Sequence, residues 1–321
     1  MIPRLYVSCG DPNGIGPDIA EPALRAVADQ AQVILCIPQE LTALYRWPAR
    51  AFKQTQRETG LFFHPTESNP DYLYQPGQFS VQAGKLAFFS FQSAVQLTKE
   101  DPFSALLTLP VNKKSFIAAG SPVAGHTELI GLLLKEAEPL MILLNDQMRV
   151  ALLTVHIPIM KVSQAITPDR IRSRTLAFEK SLRTDFGIEK PAIAVLGLNP
   201  HAGEDGSIGT EEKLVMEPTL AELRADGLNV EGPFPSDGFF GNKQYSRFDG
   251  ILAAYHDQGL IPLKLSGMDL GVNFSAGSQI VRTSPDHGTA YDIAGKGLAN
   301  PSSTREAARL ALHVLSKRHQ V

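Results

Sequence analysis

Three histidines in this chain each come directly after a short apolar run that is typical of a buried β-strand. They are His156, His201 and His256, and the apolar runs before them cover residues 151–155, 192–198 and 248–254. In α/β proteins the ligand lies at the carboxyl ends of the strands, so neighbouring parallel strands would bring the histidines together. Neutral imidazoles are preferred ligands of borderline divalent metals, and a three-histidine set leaves coordination positions open for substrate. The pattern predicts a metal site, although any one of these histidines could equally cap a strand or satisfy a buried hydrogen bond.

A second set of polar residues has the chemistry of an anion site. Lys264, Asn273 and Arg282 recur at nine-residue intervals, in short runs that we interpret as strands. Together they would form a cradle for a phosphate or a carboxylate, which Arg282 could bind through two hydrogen bonds. His126 and Thr127 precede an apolar helical segment, where they could cap the helix or contact an anion at its N-terminus.

Two further stretches carry acidic residues. Asp237 lies in a turn-rich segment at 233–238, where it could orient a neighbouring histidine or simply belong to a surface turn. The stretch at 286–301 combines glycines with Asp292, whose carboxylate could accept hydrogen bonds from ribose hydroxyls.

The elements that must position these residues alternate between strand and helix. A strand at 5–9 leads through a glycine-rich loop, which does not match G-x-G-x-x-G, into a helix and a strand at 33–37. Further helices are expected at 82–99, 168–182, 211–225 and 303–316, with a hairpin at 140–155. Residues 46–80 give no clear pattern. This alternation predicts an α/β protein of two α/β lobes with a cleft between them.

The composition excludes several classes of function. The 321 residues have a formal net charge of −3 and no basic stripe, which argues against binding to nucleic acid. No window approaches 18 apolar residues, so we expect neither a membrane span nor an export signal. Two cysteines without C-x-x-C spacing suit a reducing compartment, and we expect a cytoplasmic location.

Six motifs together resemble the 4-hydroxythreonine-4-phosphate dehydrogenase family of pyridoxal phosphate biosynthesis, within the isocitrate and isopropylmalate dehydrogenase-like fold. They are GDPNGIGPD, LPVNK, GHTE, LNPHAGEDG, YHDQGLIPLK and RTSPDHGTAYDIAGKG, and the likeness runs nearly end to end except for residues 46–80. It implies a discontinuous NAD-binding lobe at 1–125 plus 258–321, and a metal-binding and dimerisation lobe at 126–257.

The resemblance also implies a role for each matching residue. His156, His201 and His256 would hold a divalent metal in a homodimer, with His256 supplied by the second chain and Asp237 and Asp257 maintaining the site. Zinc is the expected ion, with Mg, Mn, Co or Ni as alternatives. The contacts to a phosphorylated substrate would be His126, Thr127, Lys264, Asn273 and Arg282. The contacts to the adenosine half of NAD would be His287, Gly288, Ala290, Asp292 and Asn300.

The implied reaction is NAD- and metal-dependent oxidation of 4-phosphooxy-L-threonine. Its product, 2-amino-3-oxo-4-phosphooxybutanoate, loses carbon dioxide to give 3-amino-2-oxopropyl phosphate. Residues 274–281 depart from the family pattern, so dehydrogenation of erythronate or threonate 4-phosphate is an alternative. A metal-dependent hydrolase and a silent sugar-phosphate binding protein are rival classes. Dependence on NAD would separate the hydrolase from the dehydrogenase, and the binding protein would bind the ligand without turnover.

Overall fold

A computed structural model of the chain describes residues 1–137 and 139–319. The chain forms two compact units, the first from Met1–Pro139 with Ser278–Val321 and the second from Leu140–Gly277. These boundaries lie 14 and 20 residues later than the divisions at 125 and 257 expected from sequence. The helix that begins at His126 belongs to the first unit because its residues Leu129, Ile130 and Leu134 join that unit's core.

The first unit is built on five parallel strands whose residues are almost entirely buried. Their spatial order is β3, β2, β1, β4, β11, numbered by position in the chain. The strands are β1 (Arg4–Ser8), β2 (Gln32–Cys36), β3 (Gly60–His64), β4 (Ser104–Thr108) and β11 (Val281–Pro285). Continuous apolar runs such as Val33 to Ile37 form such strands because helices cover both faces of a parallel sheet.

Within the described residues, five α-helices accompany these strands. They are α1 (Gly16–Leu24), α2 (Val81–Glu100), α3 (Lys113–Ala118), α4 (His126–Leu134) and α10 (Ser302–Arg318). Helix α2 begins where the hydroxyl of Ser80 accepts a hydrogen bond from the backbone of Ala83. Its Phe91 packs edge-to-face against Phe116 of α3, and both rings are fully buried in the core.

In the part of the chain that the structure describes, the second unit contains six strands, in the order β10, β5, β6, β9, β7, β8. Strands β10, β5 and β6 pair antiparallel, whereas β6, β9, β7 and β8 pair parallel. The strands are β5 (Leu140–Leu144), β6 (Arg149–Leu152), β7 (Ile193–Leu196), β8 (Val230–Phe234), β9 (Gly250–Ala253) and β10 (Val272–Ala276). The helices are α5 (Val162–Ala165), α6 (Pro168–Thr184), α7 (Glu217–Ala225), α8 (Ser236–Gly241) and α9 (His256–Gly267).

The α/β class and most of the expected elements are confirmed, with two corrections. Residues 263–265 are not a strand but part of α9. This helix packs tightly against the strands, since a Cβ placed on Gly259 would lie only 2.6 Å from Val150 Cγ1. The second correction is β3, which lies inside the segment at 46–80 that sequence patterns left unassigned.

Among the residues described, no helix combines the length and the apolar character that crossing a membrane requires.

Candidate active site

The three strands that precede His156, His201 and His256 are neighbours in the sheet of the second unit. Strand β9 lies in the middle, paired in parallel with β6 on one side and with β7 on the other. Beyond β6, the backbone N–H and the hydroxyl of Thr154 both donate to the carbonyl of Ala254, at 3.2 and 2.7 Å. His156 lies two residues after Thr154, and His256 lies two residues after Ala254. Their ring centres are 5.8 Å apart.

His256 is oriented by the carboxylate that follows it in the chain. Its Nδ1 lies 2.7 Å from Oδ1 of Asp257. A carboxylate that holds one nitrogen of an imidazole fixes the ring and directs the other nitrogen outward, which is a common arrangement behind metal-binding histidines. Asp257 therefore has the geometry of an orienting group.

Gln258 fixes the position of this segment, and sequence reasoning assigned it no role. Its buried side chain accepts a hydrogen bond from the N–H of Ala254 at 2.6 Å. It also donates to the carbonyl of Gly197 at 2.6 Å and to the hydroxyl of Ser236 at 2.7 Å. One amide thus joins the ends of β7 and β9 to the start of α8. The only sequence signal for it was its place inside the YHDQG motif.

His201 opens an unusual left-handed turn. Residues 201–206 all have positive φ, with values of 52° for His201, 50° for Ala202 and 45° for Glu204. Each non-glycine residue in this region costs roughly 1–2 kcal/mol, and such strain persists only where the surroundings impose it. The turn leaves the His201 side chain exposed to solvent.

A buried carboxylate, Glu212, holds the backbone directly before this turn. Oε1 of Glu212 accepts hydrogen bonds from the N–H groups of Leu198 and Asn199, both at 2.7 Å, and Oε2 accepts from Asn199 Nδ2 at 2.8 Å. Glu212 begins a π-helical turn, Glu212–Met216, that continues into α7. Such turns occur frequently at functional sites. Glu212 is a second residue that spacing alone could not identify.

The donor chemistry of the histidines fits a borderline divalent metal. Within the described part of one chain, however, no group of three His, Cys, Asp or Glu side chains is placed to hold an ion. Asp237 is exposed in the first turn of α8, and no described histidine is hydrogen-bonded to it.

The first unit contains a buried cation. The Arg282 side chain on β11 is only 4% exposed. Its Nε and Nη2 donate to Oγ1 of Thr108 at 3.2 and 2.8 Å, and its Nη1 donates to Oγ1 of Thr127 at 3.4 Å. Burial lowers the pKa of Arg282 to about 10, although Glu128 opposes this effect. A buried guanidinium can bind a phosphate or carboxylate through charge-assisted hydrogen bonds.

His126 lies beside this cation as the first residue of α4. Its ring stacks on Phe91 with centres 4.4 Å apart and meets the edge of Phe116. Burial and the charge of Arg282 lower the pKa of His126 well below its ordinary 6.5, so the ring is neutral. Its buried Nε2 has no hydrogen-bond partner among the described residues. Gly125, not His126 or Thr127, occupies the cap position, so both side chains remain available at the helix N-terminus.

Lys264 and Asn273 do not follow the expected pattern of strand exits. Lys264 lies half-buried within α9, and Asn273 lies within β10, where it pairs with Leu143 of β5. Arg282 is likewise inside a strand and not at its end. The nine-residue interval therefore does not reflect three equivalent strand exits, because the first of the three residues is helical.

The loop after β11 carries the residues expected at adenosine. Asp292 is exposed, Ala290 has φ of 41°, and a Cβ on Gly288 would meet no atom within 4 Å. Asn300 accepts a hydrogen bond from the N–H of Ser302 and so stabilises the start of α10. This loop offers open backbone and an accessible carboxylate, which fit the sugar and phosphate groups of a nucleotide.

Comparisons with known proteins agree on one family. The family model for pyridoxal phosphate biosynthetic protein PdxA matches residues 23–311. A curated 4-hydroxythreonine-4-phosphate dehydrogenase from Ruegeria sp. (strain TM1040) is 40% identical over 314 residues, which cover 96% of this chain and 95% of the relative.

Solved structures agree with this assignment. The crystal structure of a 4-hydroxythreonine-4-phosphate dehydrogenase from Klebsiella pneumoniae is 35% identical, covers 98% of both chains and has a TM-score of 0.84. A terephthalate 1,2-cis-dihydrodiol dehydrogenase from Burkholderia xenovorans LB400 is also similar, with 26% identity, 98% coverage of both chains and a TM-score of 0.67.

Proposed function

Because this chain belongs to the PdxA family of pyridoxal phosphate biosynthetic proteins, we propose that it is an NAD- and divalent-metal-dependent 4-hydroxythreonine-4-phosphate dehydrogenase. It would oxidise 4-phosphooxy-L-threonine to 2-amino-3-oxo-4-phosphooxybutanoate, which decarboxylates to 3-amino-2-oxopropyl phosphate. The observation that carries the proposal is the side-by-side placement of β6, β9 and β7, which each lead into one candidate metal ligand.

The metal ligands in this proposal are His156, His201 and His256. A bound divalent ion would lower the pKa of the substrate hydroxyl and so favour hydride loss to the nicotinamide. The chain's own contribution is orientation. Asp257 holds one nitrogen of the His256 ring, Glu212 holds the loop that presents His201, and Gln258 joins the strand ends that carry both.

The phosphate of the substrate would bind to the first unit at Arg282, with His126 and Thr127. Neutral His126 can donate from Nε2 to a phosphate oxygen, which would satisfy its buried nitrogen. The guanidinium supplies the opposing charge, and the first N–H groups of α4 add donors. Lys264 and Asn273 remain proposed substrate contacts on the strength of the family likeness. Fixing the unreactive end of the substrate places the reacting carbon and lowers the entropic part of the barrier.

NAD would bind with its adenosine half at the loop after β11, through His287, Gly288, Ala290, Asp292 and Asn300. An acidic residue at the ribose favours NAD because the extra phosphate of NADP would be repelled. The exposed carboxylate of Asp292 and the open space beside Gly288 support this placement.

A homodimer that shares the metal site is part of the proposal. Large apolar side chains are exposed next to two of the candidate ligands. Ile159 and Met160 follow His156 and are 70% and 83% exposed. Ile261 and Leu265 are exposed one turn apart on the helix that His256 begins, and Met268 is exposed directly after its end. Exposed apolar surface of this kind is typical of an interface between proteins. A second copy would cover this surface and would supply its His256 to the metal held by His156 and His201, as the family likeness implies.

The test of function is NADH formation by metal-replete protein, with 4-phosphooxy-L-threonine, erythronate 4-phosphate and threonate 4-phosphate as parallel substrates. We expect a clear preference in kcat/KM for the amino acid, and loss of turnover after chelation with recovery on adding metal. Preference for an acid that lacks the amino group would replace the biosynthetic role with sugar-acid oxidation. Release of inorganic phosphate without NAD consumption would contradict the dehydrogenase altogether.

A further inference from the structure

One buried asparagine in the first glycine-rich loop connects that loop to a distant segment. Asn13 is fully buried, and its Oδ1 accepts hydrogen bonds from the hydroxyl of Tyr72 at 2.9 Å and from the N–H of Gln75 at 3.2 Å. Its Nδ2 donates to the carbonyl of Gln78 at 3.0 Å, and its own carbonyl accepts from the N–H of Gly77 at 2.8 Å. Asn13 therefore makes four hydrogen bonds to the segment at 72–78 through its side chain and its backbone carbonyl.

The segment at 72–78 packs directly on the loop after β11. A Cβ on Gly77 would overlap the carbonyl oxygen of Tyr291, so the two backbones are in close contact. A Cβ on Gly295 would lie 2.9 Å from the hydroxyl oxygen of Tyr74 and 3.1 Å from Pro76. The segment and the loop are therefore closely packed at Gly77 and Gly295.

The glycine-rich loop and the first turn of α1 also hold the loop after β11. The hydroxyl of Tyr291 donates to Asp11 at 2.6 Å, and the N–H of Gly295 donates to Asp18 at 2.8 Å. The N–H of Ile15 donates to the carbonyl of Thr289 at 3.0 Å. Three stretches that are far apart in sequence are thus joined at one place within the first unit.

We propose that the segment at 72–78 is a wall of the adenosine site and that Asn13 is the positioning residue that holds it against the loop after β11. This inference rests on the proposed function, in which that loop binds the adenosine half of NAD. Tyr74 is 40% exposed beside the loop, so the wall presents an aromatic ring on which a purine can pack, and the adjacent Leu73 is 73% exposed. Asn13 acts through this wall and does not touch the cofactor.

The sharpest test is Gly77→Ala, because the added methyl group must push the wall away from Tyr291. Its matched control is Gly227→Ala in the second unit. Both glycines have positive φ, +74° and +94°, but a Cβ on Gly227 would meet no atom within 4 Å. The control therefore carries a similar backbone penalty without displacing anything.

Binding is measured directly, by NADH fluorescence and by competition with ADP-ribose, which has the adenosine half and no nicotinamide. For Gly77→Ala we expect the Kd of both probes to rise about tenfold, the equivalent of one hydrogen bond. The KM for the phosphorylated substrate and kcat at saturating NAD should stay within about twofold. Gly227→Ala should bind both probes as the unaltered protein does.

A second variant, Tyr72→Phe, removes one hydrogen bond from Asn13 without adding bulk, and it should raise both Kd values by a smaller factor in the same direction. Unchanged affinity of Gly77→Ala for NADH and ADP-ribose would overturn the inference and leave the proposed function intact. An unaltered protein that binds neither probe would instead contradict NAD dependence itself. Equal loss of substrate and cofactor affinity in Gly77→Ala would show a general disturbance and also overturn the inference.

Discussion

The anion site of the first unit and the histidine site of the second unit are built in opposite ways. Arg282 and His126 Nε2 are buried, and their surroundings come from one unit of one chain. His156 and His201 are exposed on loops, and the described part of one chain supplies no complete ligand set. Under the proposed function, the chain would prepare in advance the part that binds the unreactive phosphate. The reacting side would be completed by a metal and a second copy.

The largest effect should come from disrupting the histidine site of the second unit. His201→Ala should remove bound metal and lower kcat by at least about a thousandfold, because several kcal/mol of charge stabilisation would be lost with the ion. Metal content by elemental analysis and turnover should fall together. His319→Ala, which removes an exposed histidine from the end of α10, is the control and should retain both. Normal turnover by metal-free His201→Ala protein would refute the assignment.

Disrupting the anion site at Arg282 should change the KM for the substrate. Arg282→Lys keeps the charge but loses the planar guanidinium that grips Thr108 and Thr127. We expect the KM for 4-phosphooxy-L-threonine to rise roughly 10- to 100-fold, with metal content and NADH affinity unchanged. The KM for the unphosphorylated analogue 4-hydroxy-L-threonine should rise far less. A similar loss for both compounds would argue against phosphate binding at Arg282.

Glu212 tests whether the left-handed turn needs its support. Glu212→Gln keeps an oxygen that can accept from the N–H groups of Leu198 and Asn199. The new NH2 group, however, would face Asn199 Nδ2, which is itself a donor. Metal affinity should fall about 10- to 100-fold, and the absorption bands of Co²⁺-substituted protein should shift as the ligand geometry changes. Glu217→Gln, an exposed position at the start of α7, should leave both unchanged. An unaltered Co²⁺ spectrum in Glu212→Gln would remove the residue from the site.

The smallest expected effect concerns protonation of His126. Its pKa is lowered in the folded chain, so the unfolded chain binds the proton at a higher pH. Its contribution to stability is therefore full above about pH 6.5 and is lost as the pH falls toward the lowered folded value. His126→Phe keeps the stack on Phe91 and should flatten the fall in thermal midpoint between about pH 7 and pH 5. Parallel curves for the two proteins would show that His126 is not buried as a neutral ring.

Sequence reasoning succeeded where a pattern is local. The apolar runs before the three histidines became strands, because continuous burial on both faces of a parallel sheet leaves a readable signal. The same reasoning assigned Lys264 to a strand, because the triplet around it alternates over only three residues, too few to distinguish a strand from a helix.

The residues that hold the sites together were beyond such patterns. Gln258 binds Gly197 across 61 positions, and Asn13 binds Gln78 across 65. A polar side chain carries no sign in the sequence of which distant backbone group it will meet. The segment at 72–78 was missed because it has neither helical nor strand periodicity. It is held by hydrogen bonds to the distant Asn13.

The position of β11 in the first sheet has a consequence for folding during synthesis on the ribosome. Strand β4 pairs with β1 on one side and with β11 on the other, and β11 begins at Val281, whereas β4 ends at Thr108. A ribosome adding roughly 5–20 residues per second would need about 10 to 30 seconds to make the chain between them. During that time the outer edge of β4 lacks its final neighbour, and an open strand edge is a template for wrong pairing. We expect nascent chains released before residue 281 to depend on chaperones far more than the finished protein does.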